Sequence, residues 1–148
     1  MPSSGRAGAT ARPSAPPTRS AGIAGDGVNI EQVDFVTIPT RDVERSVAFY
    51  RDVLGIPESE YKGAEVEAPN VTLSFWNPET EGIEFKPNEA GFAVRVADVE
   101  EARKELEAKG VEFIGETYDS SVCHMAFAKD PDGNVVILHR RYAPRVPR

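Results

Sequence analysis

The chain has one cysteine, two histidines and one tryptophan in 148 residues. Nowhere does it hold a run approaching the about 20 apolar residues that a membrane-spanning helix needs. A lone Cys123 excludes an intrachain disulfide, which suits a reducing, cytoplasmic setting. There is no glycine-rich phosphate loop and no GxSxG elbow, so nucleotide-driven and serine-hydrolase chemistry are not expected. Basic residues are scarce where the chain should fold. The first 28 residues carry three Arg against Asp26, and four Arg follow His139; setting these aside leaves ten basic and 23 acidic residues, a charge of −13. Such a surface repels phosphate backbones, so no nucleic-acid partner and no membrane are expected.

The opening "MPSSGRAGATARPSAPPTRSAGIAGDGV" is Ala, Pro, Ser and Gly with three Arg and no aromatic residue. It cannot bury enough apolar surface to offset its ordering entropy, so residues 1–29 read as a disordered tail. Without a continuous apolar run after its arginines it is no secretory signal; an Arg-containing, acid-poor transit peptide is the alternative to a plain tail. A folded domain is expected over residues 30–141, followed by a basic C-terminal tail, 142–148.

Within the domain the chain repeats itself. "FVTIPTRDVERSVAFYRDVLG" and "GFAVRVADVEEARKELEAKG" both run strand, Asp, amphipathic helix, Gly, with Asp42 and Asp98 at matching positions. Each Asp stands where a helix N-cap belongs, and Glu101 follows Asp98 as in a capping box. The apolar stripes are Val43, Val47, Tyr50 and Leu54 in the first helix and Val99, Ala102 and Leu106 in the second, closed by Gly55 and Gly110. Strand-like segments follow each helix: "EVEAPNVTLSFWNPE" with "GIEFKP" in the first half, "VEFIGE", "SVCHMAFAKD" and "GNVVILHRR" in the second. The fold class is therefore α+β, two βαβββ modules (about 30–88 and 89–141) joined in a curved, cup-shaped mixed sheet with helices on its outer face.

Alternation along the strands assigns their faces. Val36 and Ile38, Val94 and Val96, and Val136 and Leu138 are expected against the helices. The concave side then receives Val33, Phe35, Thr37 and Pro39, then Gly91, Ala93 and Arg95, then Ile137 and His139. In "VCHMAF" Cys123, Met125 and Phe127 are expected to pack against a helix as core, leaving His124 and Ala126 in the cup. "DPDGN" reads as a hairpin turn, with Pro131 presetting φ and Gly133 taking the positive φ that closes it.

The segments "VDFVTIPTRDVERSVAFYRDVLGI", "AGFAVRVADVEEARKELEAKGVEF" and "FAKDPDGNVVILH" resemble the vicinal oxygen chelate superfamily, which includes glyoxalase I, bleomycin-resistance proteins and extradiol dioxygenases. The resemblance covers about residues 30–141. It implies a metal held on the concave face by His and Glu in the catalytic members. Those positions fall here on Phe35, on Gly91, on Ile137 and near residues 73–75, none of which offers a strong donor. The resemblance thus implies a metal-free protein that binds or sequesters a small organic molecule, with no cofactor, working as a homodimer. The alternatives are a lyase, isomerase or dioxygenase with a displaced divalent-metal site around His124, His139 and Glu84, and an interaction module whose cup Phe35 fills.

Arg95 is the polar candidate on the concave side. An unpaired guanidinium among Phe35, Thr37, Ala93 and Ile137 calls for a ligand carboxylate or phosphate, or for an internal pair with Glu65, Glu67 or Glu84. Of Phe75 and Trp76 only one can face the cup, as an aromatic wall or as core. Tyr118 with Ser120 and Ser121 is expected in a solvated loop before "VCHMAF", and the resemblance implies that this loop closes over a ligand in relatives. Cys123 and His124, adjacent on a strand, point to opposite faces and form no nucleophile pair.

Overall fold

The computed structural model of the chain describes residues 27–61 and 63–147, so the expected N-terminal tail lies almost wholly outside the described residues. Val33–Arg148 pack as one compact unit. Its first module runs β1 (Phe35–Pro39), α1 (Val43–Ala48) with a π-helical continuation (Phe49–Val53), β2 (Glu65–Glu67) and β3 (Thr72–Trp76). The second runs β4 (Phe92–Arg95), α2 (Val99–Ala108), β5 (Phe113–Asp119), β6 (Cys123–Lys129) and β7 (Val135–Arg141). Both helices begin as the sequence dictates: Asp42 accepts from the Arg45 amide at 3.0 Å and Asp98 from the Glu101 amide at 3.0 Å. Gly55 and Gly110 follow them with positive φ.

The fold is α+β, with two open mixed sheets ordered β1-β3-β2 and β4-β7-β6-β5. In each module the first strand pairs in parallel with the last. The first sheet has three strands where four were expected. "GIEFKP" forms no strand; its Phe85 is buried under the Arg41 guanidinium, 4.5 Å from the ring centroid. The segment after α1 that matches β5 makes one bridge, Glu58 to Val66, and Pro57 inside it cannot donate to a ladder.

The core lies between helices and sheets. Ile38, Val47, Tyr50, Val66, Leu73 and Phe75 gather with Val136 in one cluster, and Val99, Leu106, Val111, Ala126, Ala128 and Leu138 in the other; Phe49, Leu54 and Val94 touch both. The β6 expectation is reversed. Ala126 and Ala128 face α2, and Cys123, Met125 and Phe127 take the opposite face. The register decides this, because Ala126 stands beside Leu138 and Ala128 beside Val136, whose side chains are already committed to the core.

A buried polar network joins the modules at "DPDGN". Gly133 takes φ +88° to close the turn, and its amide donates to the Asp130 carbonyl. Asp130 accepts from the Tyr50 hydroxyl at 2.9 Å and the Asn134 side-chain amide at 2.8 Å. Asn134 also donates to the Pro39 carbonyl at 2.8 Å. Asp132 reaches across to α1, accepting from the Thr40 hydroxyl at 2.6 Å, the Arg41 amide at 3.0 Å and the Arg45 guanidinium at 2.6 Å, with Ser46 Oγ 3.1 Å away. Burial raises the Tyr50 pKa, and the Asp130 carboxylate adds to the effect. Burial also works against the Asp132 carboxylate, but hydrogen bonds from Thr40 and the Arg41 amide, with the Arg45 charge, hold its pKa below the usual range.

Candidate functional site on the open sheet faces

Opposite the helices, the four-stranded sheet presents two cross-strand rows. One is Ala93, Ile137, Phe127 and Ile114; the next is Arg95, His139, Met125 and Tyr118. Each row takes one residue from every strand, so the sheet register alone brings together Arg95, Tyr118, Ile137 and His139, which are 44 residues apart at the extremes of the chain. Ile114 and Tyr118 are exposed, Tyr118 on β5 rather than in the expected loop because it pairs with Met125, and Arg95 stands exposed at the edge. Among the described residues Arg95 makes no ion pair; the internal pair with Glu65, Glu67 or Glu84 is not formed.

The three-stranded sheet offers a second open face, with Phe35 beside Thr72, Thr37 beside Ser74 and Pro39 beside Trp76. Glu65 and Glu67 continue it on β2, Glu67 accepting from the Thr72 hydroxyl at 2.8 Å. Phe35 is 58 % exposed, so within one copy it fills no cup. Trp76 is the aromatic of this face. Phe75 is corrected to core, buried against Tyr50 with ring centroids 4.8 Å apart.

His124 leaves the open face with its parity. It stands across from Arg140, while His139 stands across from Met125, so the two histidines occupy opposite sides of the sheet. His124 belongs to a surface cluster instead: its Nε2 lies 3.4 Å from Asp119, whose other oxygen accepts from the Tyr142 hydroxyl at 2.8 Å. That hydrogen bond from Tyr142, with one from the Ser121 amide, lowers the Asp119 pKa. The Tyr142 and Ala143 amides donate to the Val122 carbonyl, tying the start of the basic C-terminal segment to the β5–β6 turn.

The residues present do not fit the metal that catalytic relatives would hold. Of residues 73–75, Leu73 and Phe75 are core and Ser74 alone stands on the open face, with a neutral hydroxyl; Phe35, Gly91 and Ile137 hold the other positions. Gly91 is also closed to a side chain. It holds φ +78°, and a Cβ there would lie 2.6 Å from the Val135 carbonyl oxygen. Of the displaced set, His124 and His139 lie on opposite faces of the sheet, and Glu84 lies outside the strands. Among the described residues no three His, Cys, Asp or Glu converge on one point.

Sequence reasoning missed Ile114, Met125 and Phe127. The signal was available in the hairpin, since "DPDGN" fixes β6 against β7 and Val136 and Leu138 fix the faces.

Two open mixed sheets, each pairing its first strand in parallel with its last and each part of one repeated module, define a paired-module α+β scaffold. Residues 32–138 match the family model of the Glyoxalase/Bleomycin resistance protein/Dioxygenase superfamily, and the chain belongs to that family. A relative from Mycolicibacterium smegmatis, itself uncharacterised, is 30 % identical over 111 residues, which are 73 % of this chain and 92 % of that one. A member of the superfamily from Sphaerobacter thermophilus superposes with a TM-score of 0.63 at 25 % identity, over 74 % of this chain and 97 % of that one. TnmS3, an antibiotic-binding protein from a Streptomyces species, shares the fold with a TM-score of 0.64 at 21 % identity, over 78 % and 100 % of the two chains.

Proposed function

We propose that the chain is a metal-free binding member of its family, taking a small organic anion on the open face of the four-stranded sheet. Arg95 meets the anionic group, and Ile137, Phe127 and Met125 contact an apolar or aromatic body, with Tyr118 and His139 as flanking polar groups. The observation that carries this reading is Arg95 itself: a guanidinium without an ion pair among the described residues, at the end of the row through His139, Met125 and Tyr118 and beside the apolar row of Ala93, Ile137, Phe127 and Ile114. The donor-poor positions Phe35, Ser74, Gly91 and Ile137 support binding over metal-assisted catalysis. That one fold relative is an antibiotic-binding protein fits the same use of the scaffold. A homodimer would set the Phe35 and Trp76 face of one copy over the Arg95 face of the other and enclose the ligand. The single Cys123 agrees with a cytoplasmic site of action.

The test pairs metal analysis with a ligand screen on the full chain. Protein purified without chelator is expected to carry no stoichiometric Zn, Ni, Mn or Fe, and small aromatic carboxylates are expected to raise its unfolding temperature; occupancy at 100 Kd stabilises by about 2.7 kcal/mol. Arg95→Ala should weaken the hits at least about tenfold. One bound metal ion per chain, or hits indifferent to Arg95→Ala, would overturn the reading.

A further inference from the structure

β5 closes the four-stranded sheet on the side away from β4, and it does not run in a regular ladder with β6. Ile114 stands across from Phe127 and Tyr118 across from Met125, so four positions of β5 match two of β6. An unbroken antiparallel ladder would set Glu116 beside Met125. The added residues put Tyr118 there instead, with Gly115 taking φ +66° inside the irregularity. Arg103 of α2 holds it from the helix side, donating to the Gly115 carbonyl at 2.8 Å and the Thr117 hydroxyl at 3.3 Å. The same guanidinium, mostly buried, lies 4.8 Å from the centroid of the Phe113 ring. A phenol thus takes the place of a carboxylate at the end of the row that begins with Arg95.

That row, Arg95, His139, Met125 and Tyr118, crosses all four strands. Three interstrand spacings of about 4.8 Å set its ends about 14 Å apart, and side chains stand roughly perpendicular to a sheet. Allowing a hydrogen bond of about 2.8 Å at each end leaves about 8–9 Å between the polar atoms of a molecule that touches both. The middle of the row supplies the Met125 thioether, a good neighbour for an aromatic ring, with Phe127 and Ile137 in the row beside it. Tyr50 and Tyr142 each donate to an aspartate, but the Tyr118 hydroxyl has no hydrogen-bond partner among the described residues. We infer that Tyr118 sets the length of the ligand, which lies across the strands as a carboxylate on two fused rings, or a body of equal length, with a hydrogen-bonding oxygen at its far end. A single hydroxylated ring is too short to reach from Arg95 to Tyr118. This rests on the ligand reading proposed above and adds the size of the molecule and the group its distal end must carry.

Calorimetry on the full chain with matched probes tests it. The wild type should bind 6-hydroxy-2-naphthoate about fivefold tighter than 2-naphthoate, the gain of one hydrogen bond, whereas 4-hydroxybenzoate should gain nothing over benzoate. Y118F should bring the two naphthoates to equal affinity, and R95A should weaken both in the same proportion. Tyr118 is exposed, so Y118F should leave the unfolding temperature unchanged. Equal affinity of the wild type for the two naphthoates, a hydroxyl gain that survives Y118F, or the same gain already present with 4-hydroxybenzoate would each overturn the inference while the Arg95 site stood. Binding of none of the four probes, or binding indifferent to R95A, would remove the ligand reading itself and this inference with it.

Discussion

Replacing Asp132 by Ala removes the link between the β6–β7 hairpin and α1, and the loss follows from its partners. The carboxylate is 1 % exposed and accepts from Thr40, the Arg41 amide and Arg45, with Ser46 Oγ within reach. A hydrogen bond to a charged acceptor contributes about 1.5–3 kcal/mol, and a buried hydroxyl left unpaired costs about 1–3 kcal/mol. Thr40 and Ser46 are fully buried. They can re-pair in part, because Ser46 Oγ is 2.6 Å from Thr40 Oγ1 and Thr40 Oγ1 is 3.0 Å from the Asp42 carbonyl. Arg45, nearly half exposed, returns to water at little cost. The sum is a loss of about 3–5 kcal/mol, against a total stability of roughly 6–17 kcal/mol for a unit of this size. Urea titration should show the midpoint falling with an unchanged slope, and the unfolding temperature should drop by roughly 10–25 °C. Asp132→Asn, which keeps one acceptor oxygen, should lose about half as much. An Ala variant within about 1 kcal/mol of wild type would refute the claim that this hairpin holds the modules together.

The same carboxylate sets a pH dependence. Its folded pKa lies below its unfolded value, so its stabilisation is complete above the unfolded pKa and is lost as pH falls through the folded one; acid titration of stability should be shallower in Asp132→Asn than in wild type. Gly91→Ala puts a methyl group against the Val135 carbonyl at positive φ, and should cost about 2–4 kcal/mol in the same urea assay. Ala126→Leu should cost about 1–3 kcal/mol by overpacking under α2, whereas Met125→Leu on the open face should stay within about 0.5 kcal/mol; equal effects would mean that the faces of β6 are assigned wrongly.

The repeat, both Asp caps, both glycine stops and the hairpin turn were legible because each is local, a residue type answering a backbone demand within a few positions. Alternation also gave the faces of β1, β4 and β7 correctly: Val36 and Ile38, Val94, and Val136 and Leu138 pack in or against the core clusters. The rule failed at β6, where size points outward: Met125 and Phe127 are the bulky pair, yet α2 lies close enough that only alanine fits beneath it. Phe75 is resolved by its partner, because Ile38 beside it is core and register carries the face across the ladder. The polar lock escaped notice for another reason. Read locally, Asp130 and Asp132 serve their own turn, and nothing within five residues shows that their carboxylates are buried against Tyr50, Thr40 and Ser46 from the other half of the chain.

That distance along the chain has a consequence for synthesis. Thr40 and Asp132 are 92 positions apart, and Tyr50 and Asp130 are 80 apart. As the polypeptide leaves the ribosome, its first module emerges with the Tyr50 phenol lacking its carboxylate acceptor, and with Thr40 and Ser46 bonded only to each other and to the Asp42 carbonyl, until the hairpin at Asp130–Asn134 follows. A message cut short before the hairpin codons should therefore yield a product that chaperones hold and proteases remove, rather than a half-sized working domain.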